Sequence, residues 1–310
     1  AAADPASQPA RVLGEGVVEQ GIKMGSFPLT TSTSPPQFSA DGQFLVMGIN
    51  DKVIFYRVQT GEAVKTFANP THYTTNASYN YVVRYAALTA DGKTLLTYSE
   101  DNAIRLWDVS AEKELPAWSQ AVDGLSGVQL SPDGRYVLFI LSNGDGMALH
   151  ELTSGRLVRS YKPHRNTIYR AVFTPDGQGI LTASADSTAR LTDVYTGEVI
   201  QIFAGHSNDV LYAAISADGQ NVLTGGLDKT VRLWETVSGK EIRRFTEHQA
   251  PVYRVAFSPD GRYALSGDQQ GQVRLWATDK SQTVRQFTAE SPVYSVDYSP
   301  DGRYVAAGMD

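Results

Sequence analysis

Short apolar and β-branched runs, separated by turn-forming residues, make up most of the chain. In residues 206–245 the runs are no longer than seven residues, and lie at 210–216, 221–225, 230–234 and 241–245. Asp218-Gly219, Asp228 and Ser238-Gly239 occupy the turns between them. Gly accepts a positive φ, and Asp bonds to the backbone that follows it. The unit has no helical period, so it predicts four short antiparallel strands.

The same order of signals repeats along the chain. Asp-Gly pairs begin at Asp41, Asp91, Asp133, Asp176, Asp218, Asp260 and Asp301. Their successive spacings are 50, 42, 43, 42, 42 and 41 residues. Repeats of this length with strand-like content are typical of a β-propeller. We therefore predict an all-β fold, with a tail or linker at residues 1–10 and one seven-bladed propeller of four-stranded antiparallel blades at 11–310.

Several motifs stand in register within these units. They are Trp107-Asp108, the variants Trp234-Glu235 and Trp276-Ala277, Thr192-Asp193, Gly205-His206, and the single histidines His164 and His248. The set resembles the WD-repeat (WD40) family over about residues 11–310, in the bacterial type with Ser-Pro-Asp-Gly turns. Recurrence in register carries this resemblance, because a lone Trp-Asp pair has no diagnostic value.

The resemblance implies a buried hydrogen-bonded set of His, Ser/Thr, Asp and Trp within a blade. Such a set stabilises a fold only when every member is satisfied. In the fifth unit it consists of His206, Thr224, Asp228 and Trp234. The fourth unit has Thr192 in place of Trp, and the sixth has Gln270 in place of Asp. We therefore expect the fifth unit alone to hold all four members.

Two chemical alternatives compete with this structural interpretation. Ser/Thr, His and Asp in one unit could form a hydrolase triad, but the trio recurs partially in neighbouring units, as a structural device would. His164, His206 and His248 are 42 residues apart, which places them on separate blades rather than around one zinc ion. Asn143 and Asp145 offer too few oxygens for a calcium loop. We predict no catalytic residue, no metal and no cofactor.

The resemblance also implies how the propeller closes. The seventh unit has room for only two strands before the chain reaches Asp310. Segments 11–13 and 21–27 are separated about as a third and a fourth strand should be. These N-terminal strands are therefore expected to pair with the C-terminal blade and to cover its exposed edge.

Family members usually bind partners on the face that carries the loops before the first strands. The resemblance places six side chains there, around the channel mouth, and we predict that they bind a protein or peptide. They are Arg84, Tyr169, Asp209, Leu211, Tyr253 and Tyr294. Tyr and Arg favour interfaces because they bury a large area and keep a polar group. The alternative is that tyrosine is ordinary in a strand-rich protein that has 16 of them.

Composition removes several classes of function. The chain has no cysteine, which excludes disulfides, thiolate metal sites and a cysteine nucleophile. With 27 Lys+Arg against 33 Asp+Glu the formal net charge is −6, which argues against nucleic acid as a partner. Apolar runs stay well short of a membrane helix, so no direct membrane insertion is expected.

Three functions stay open at this point. The first is a non-enzymatic scaffold that binds a protein on the channel-mouth face. The second is a structural subunit or domain of a larger envelope, secretion or redox assembly. The third is a propeller-type hydrolase or lactonase with an axial metal. A start without Met fits a periplasmic or secreted protein about as well as a cytoplasmic one. The polar insertion at residues 68–78 could be functional or neutral.

Overall fold

The computed structural model describes residues 12–13, 37–68, 82–115, 124–142, 146–280, 282–289, 291–302 and 305–309. Within these residues every regular element is a β-strand. Six sheets have four strands each, arranged in chain order with antiparallel neighbours. This confirms the prediction of an all-β, propeller-like fold of repeated four-stranded sheets. We number the sheets 1 to 7 in the order of their first strands.

Strands at equivalent positions in the sheets have similar lengths. The first strands are β2 (Gln37–Phe38), β6 (Val83–Leu88), β10 (Leu125–Leu130), β14 (Ile168–Phe173), β18 (Val210–Ile215), β22 (Val252–Phe257) and β26 (Val293–Tyr298). The second strands are β3 (Phe44–Ile49), β7 (Thr94–Ser99), β11 (Tyr136–Leu141), β15 (Gly179–Ser184), β19 (Asn221–Gly226), β23 (Tyr263–Asp268) and β27 (Val305–Met309). The third strands are β4 (Lys52–Arg57), β8 (Ile104–Asp108), β12 (Met147–Glu151), β16 (Thr188–Asp193), β20 (Val231–Glu235) and β24 (Gln272–Ala277). The fourth strands are β5 (Ala63–Ala68), β9 (Lys113–Leu115), β13 (Leu157–Tyr161), β17 (Val199–Ala204), β21 (Glu241–Phe245) and β25 (Thr283–Thr288).

Sheet 5 shows how closely local patterning determines the strands. Its four strands begin and end within one residue of the four runs predicted for residues 206–245. The turn between the first two strands is held by two side chains. Ser216 Oγ donates to Asp218 Oδ1 over 2.6 Å and accepts from the Asn221 amide over 2.9 Å. Asp218 also accepts from the Gln220 amide, and Gly219 has a φ of +72°. The mechanism predicted for the Asp-Gly pairs is therefore confirmed.

Apolar cores lie between successive sheets. In one of them Leu181 and Phe203 of sheet 4 pack with Val210 and Trp234 of sheet 5. In the next, Leu223 and Phe245 of sheet 5 pack with Val252 and Trp276 of sheet 6. Burying each of these side chains contributes about 1.5–3 kcal/mol. Because each sheet is covered by its neighbour, the repeats stabilise one another rather than folding as separate units.

Sheet 7 departs from the antiparallel pattern. β26 and β27 are antiparallel, but β1 (Val12–Leu13) pairs parallel with β27 through Val12↔Val305 and Leu13↔Ala306. β1 and β27 are far apart in the chain and are not joined by a hairpin. No turn therefore imposes an antiparallel direction on β1. β26 also contacts β22 on one side and β2 on the other.

Several predictions fall outside the described residues. They concern the tail at 1–10, the second N-terminal strand at 21–27, the insertion at 69–78, and the pair Asn143 and Asp145.

Candidate functional site

A β-bulge marks the start of six first strands. In sheet 6, Val252 pairs with Asp268 and Arg254 pairs with Gly267, which leaves Tyr253 as the extra residue. The same irregularity occurs in sheets 2 to 5 and in sheet 7. We call the six extra residues the ring residues: Arg84, Ser126, Tyr169, Leu211, Tyr253 and Tyr294. A bulge re-aims a side chain and is common beside functional sites. Five of the six predicted partner-binding residues are thus bulge residues.

The ring residues differ in exposure. Tyr169 is 43% exposed and Tyr294 is 40% exposed, whereas Leu211 and Tyr253 are half-buried. Arg84 is exposed and forms an ion pair of 2.9 Å with Glu100. An exposed pair of this kind contributes little to stability. The aromatic rings of Tyr169 and Tyr294 therefore stay accessible to solvent.

Contacts join ring residues of neighbouring sheets. The rings of Tyr253 and Tyr294 stack with centroids 5.5 Å apart and planes 19° apart. Tyr169 of sheet 4 donates a hydrogen bond of 2.7 Å to Asp209, which precedes the first strand of sheet 5. Accepting this bond, the Asp209 carboxylate raises the pKa of Tyr169. Asp209 is the sixth predicted residue. It is not a bulge residue, but it contacts the ring residue Tyr169.

Sheet 5 contains the hydrogen-bonded set of His206, Thr224, Asp228 and Trp234. His206 Nδ1 lies 2.9 Å from both Asp228 carboxylate oxygens, and its Nε2 lies 2.7 Å from Thr224 Oγ1. Trp234 Nε1 donates to the same Oγ1 over 2.8 Å. With the proton of His206 on Nδ1, the hydroxyl of Thr224 donates to Nε2 and every member is satisfied. Burial opposes ionisation of Asp228, but hydrogen bonds from His206 and Thr230 outweigh it and lower its pKa.

Sheet 6 holds a complete set as well, so the prediction that only the fifth unit does is wrong. His248 Nδ1 lies 2.8 Å from Asp268, and its Nε2 lies 2.6 Å from Ser266 Oγ. Trp276 Nε1 donates to Ser266 Oγ over 2.7 Å. The aspartate is Asp268, the last residue of β23. A constant spacing between repeats predicts the aspartate two residues later, at the position of Gln270. Gln270 is exposed and takes no part in the set.

Sheet 4 has three members of the set and a buried threonine in place of the fourth. His164 lies 2.8 Å from Asp186 and 2.7 Å from Thr182. Burial lowers the pKa of His164. Thr192 stands where Trp would, fully buried, and its hydroxyl has no hydrogen-bond partner among the described residues.

These buried trios are poorly placed for nucleophilic catalysis. Thr224 is fully buried, the His206 side chain has no exposed surface, and the Thr224 hydroxyl is engaged by Trp234. A nucleophile must be reachable by substrate. In the described part of the chain, no group of three or more His, Asp or Glu side chains is placed to hold a metal ion. No helix in that part is long and apolar enough to cross a membrane.

Two arginines lie next to bulge residues without being ring residues themselves. Arg170 and Arg254 each follow a bulge residue by one position, and both line a cavity. Tyr212 and Asp297 line the same cavity, and neither was singled out from the sequence. Their signal was register: Tyr212 is equivalent to Arg170 and Arg254, one position after the bulge residue. Asp297 lies two positions after Ser295, on the same face of its strand.

Repeated four-stranded sheets with recurring buried His, Ser/Thr, Asp and Trp define a propeller-like repeat protein. A family model described as "WD domain, G-beta repeat" matches five segments, at residues 70–108, 155–193, 197–235, 239–277 and 281–310. Together they cover more than half of the chain, which therefore belongs to the WD40 family. Proteins of this family are typically non-enzymatic scaffolds for protein interactions.

Several curated proteins are similar to parts of the chain. Apoptotic protease-activating factor 1 of Rattus norvegicus is 28% identical over 133 residues, which are 42% of this chain and 10% of that protein. The LST8 homolog of Drosophila melanogaster is 32% identical over 97 residues, 29% of this chain and 31% of that protein. Eukaryotic translation initiation factor 3 subunit I of Culex quinquefasciatus is 24% identical over 185 residues, 55% of this chain and 56% of that protein. The chain thus spans about half or less of each of these relatives.

Proposed function

We propose that this protein is a non-enzymatic scaffold that binds a protein or peptide through its ring residues and Asp209. One observation carries the proposal: a bulge recurs at the same position in six sheets and places Tyr169, Leu211, Tyr253 and Tyr294 in equivalent positions. Membership of the WD40 family supports it.

The chemistry of these side chains suits an interface. Tyr253 and Tyr294 form one stacked aromatic surface, and Tyr169 is held in place by Asp209. Tyrosines that are already ordered lose little conformational entropy on binding, so more of the contact energy contributes to affinity. We expect the stacked pair to be the centre of the contact and Arg84 to lie at its polar rim.

The proposal includes a closed ring of seven blades. The contacts of β26 with both β22 and β2 support it, and so does the pairing of β1 with β27. In a closed ring the ring residues would surround one opening, so that a single partner could contact several blades together. The bacterial type suggested by the Ser-Pro-Asp-Gly turns stays a prediction.

The proposal is tested by affinity capture from the native host. The wild-type chain is compared with a triple variant carrying Tyr169→Ala, Tyr253→Ala and Tyr294→Ala. A matched control carries Tyr195→Ala, Val237→Ala and Ile242→Ala, which are exposed side chains outside the ring. Circular dichroism and urea unfolding establish that all three proteins are folded.

We expect wild type and control to retain the same partner and the ring variant to lose it. Equal retention by the ring variant would overturn the assignment of the binding face. Failure of the wild type to retain any protein would overturn the scaffold function itself.

A structural subunit of a larger assembly is the second candidate. It is favoured by one observation, the similarity to a relative whose name describes a subunit. This candidate predicts that the captured proteins co-elute with the chain at fixed stoichiometry in size-exclusion chromatography. A scaffold that binds a single peptide predicts a complex of two components.

A further inference from the structure

The first strands of sheets 1 and 4 to 7 line a cavity of about 460 Å³. This volume is in the range of small-molecule sites. Its polar lining includes Arg170, Tyr212, Arg254, Ser295 and Asp297. We call it the axial cavity.

Small residues follow large ones along the strands that line the axial cavity. Arg170, Tyr212 and Arg254 occupy the position after the bulge in β14, β18 and β22. Side chains alternate between the two faces of a strand, so residues two positions further on face the same space. Those residues are Val172, Ala214 and Ala256, which are too small to fill it.

Two guanidinium groups flank one aromatic ring at the polar end. The Cζ atoms of Arg170 and Arg254 lie 5.1 and 4.9 Å from the centroid of the Tyr212 ring. Within the described residues neither arginine forms an ion pair of 4.0 Å or less with a carboxylate. Stacking on an aromatic face orients each guanidinium group. The Tyr212 ring thus holds two cations close together.

Two further polar atoms at this place have no hydrogen-bond partner in the described part of the chain. They are Arg170 Nε and the hydroxyl of Ser295, both buried and both on residues that line the axial cavity. Buried donors are nearly always satisfied, and each unsatisfied one costs about 1–3 kcal/mol. These two donors are available to a bound group that accepts hydrogen bonds.

Asp297 is the carboxyl group that faces this cavity. Burial raises its pKa to about 7, although its hydrogen bond from the Tyr298 amide and the charge of Arg170 act in the opposite direction. Burial also lowers the pKa of Arg254, and the charge of Arg170 adds to this effect. The other titratable groups near them in the described part of the chain are Tyr85, Tyr212 and Tyr298. Below neutral pH the described lining is therefore positive.

We propose that the axial cavity binds a small molecule through an oxyanion group, a phosphate or a carboxylate, held by Arg170 and Arg254. The planar guanidinium group matches both oxyanions and donates two parallel hydrogen bonds to them. The hydroxyl of Ser295 supplies a further donor. This site is separate from the ring residues, so its test is independent of the proposed scaffold function.

Isothermal titration calorimetry of the purified chain tests the proposal, with inorganic phosphate and citrate as separate probes. It is performed at a pH of about 6, where Asp297 is largely protonated. The variants are Arg170→Gln and Arg254→Gln. The matched control is Arg262→Gln, because Arg262 stacks on Tyr263 with its Cζ atom 5.9 Å from the ring centroid and lies outside the cavity.

We expect wild type and Arg262→Gln to bind at least one probe, and each cavity variant to bind it about 10-fold or more weakly. The tighter of the two probes identifies the oxyanion. Absence of binding to both probes, or an equal loss in the control, would overturn the proposal.

A second measurement uses the wild type alone and covers variants that fail to fold. Phenylglyoxal modifies accessible arginines, and mass spectrometry locates the products. The bound probe should protect Arg170 and Arg254 and leave Arg262 reactive. Protection of Arg262 to the same extent, or of neither cavity arginine, would contradict the site.

Discussion

Tyr169 donates a hydrogen bond of 2.7 Å to the carboxylate of Asp209, which lies just before the first strand of the next sheet. The bond joins two neighbouring repeats at the exposed ends of their first strands. It restricts the Tyr169 side chain to one orientation while 43% of its surface stays exposed. Two residues 40 positions apart in the chain thus prepare one contact surface.

The Tyr169 phenol should report on this bond. Replacing Asp209→Asn removes the carboxylate that raises the pKa of Tyr169, so that pKa should fall towards the ordinary value for tyrosine. The measurement is an NMR titration of the chain labelled with ¹³C at tyrosine Cζ. Tyr169→Phe assigns the resonance. An unchanged titration of Tyr169 in Asp209→Asn would show that the bond is absent in solution.

The buried set of sheet 6 gives a prediction about stability. Asp268→Ala should lower the free energy of unfolding by about 2–4 kcal/mol, because His248 Nδ1 loses its buried partner. The Asp268 side chain has no exposed surface, so solvent screens the pair very little. Urea unfolding followed by tryptophan fluorescence measures the change.

Gln270→Ala is the matched control for Asp268→Ala. Gln270 is exposed and lies two residues away in the same turn, so its truncation should change the free energy of unfolding by no more than about 0.5 kcal/mol. If Gln270→Ala lowered the free energy of unfolding more than Asp268→Ala does, Gln270 rather than Asp268 would be the member of the buried set.

The lone hydroxyl of Thr192 predicts a stabilising substitution. Thr192→Val keeps the shape and removes a buried polar atom that has no partner among the described residues, so the free energy of unfolding should rise by about 1 kcal/mol. Thr182→Val is the matched control in the same sheet. Its hydroxyl lies 2.7 Å from His164 Nε2 and donates to the Arg190 carbonyl over 3.1 Å.

Thr182→Val should therefore lower the free energy of unfolding by about 1–3 kcal/mol. Urea midpoints of the two variants, measured side by side, should move in opposite directions from the wild type. If Thr192→Val lowered the free energy of unfolding as much as Thr182→Val does, the Thr192 hydroxyl would have a hydrogen-bond partner in the folded protein.

The strands and turns of this fold could be predicted from local patterns. An Asp-Gly turn is specified by residues a few positions apart, as Ser216, Asp218 and Gly219 show. Short apolar runs between such turns leave little freedom in where a strand begins or ends. For that reason the predicted runs of residues 206–245 match the strands within one residue.

Features that depend on exact register or on distant contacts were harder to predict. Asp268 replaces Gln270 because a carboxylate two residues earlier still reaches His248. β1 runs parallel to β27, and no local turn connects these two strands to specify that direction in the sequence. The axial cavity depends on Arg170, Tyr212 and Arg254 of three separate repeats meeting at one level, which the pattern of a single repeat does not contain.

Asp297 predicts how stability depends on pH. Its pKa is raised from 3.8 to about 7 in the folded protein, so between these values the folded state holds a proton that the unfolded state has lost. The contribution of this group to the free energy of unfolding therefore falls as the pH rises through that range, and levels off above the folded pKa. Asp297→Asn, which cannot ionise, should remove the dependence. The free energy of unfolding of Asp297→Asn minus that of the wild type should rise by about 2–3 kcal/mol between pH 5 and pH 8.

Urea unfolding of Asp297→Asn and of the wild type at several pH values measures the difference between their free energies of unfolding. The contributions of other titratable groups cancel in this difference. His164 is one such group: burial lowers its pKa, so it reduces stability as the pH falls, the opposite direction. Asp91→Asn is the matched control, because hydrogen bonds from Thr89 and the Lys93 amide lower the pKa of Asp91 and keep it ionised throughout this range. A difference between Asp297→Asn and wild type that stays constant with pH would show that Asp297 is already ionised at pH 5, and the axial cavity would then hold a permanent negative charge.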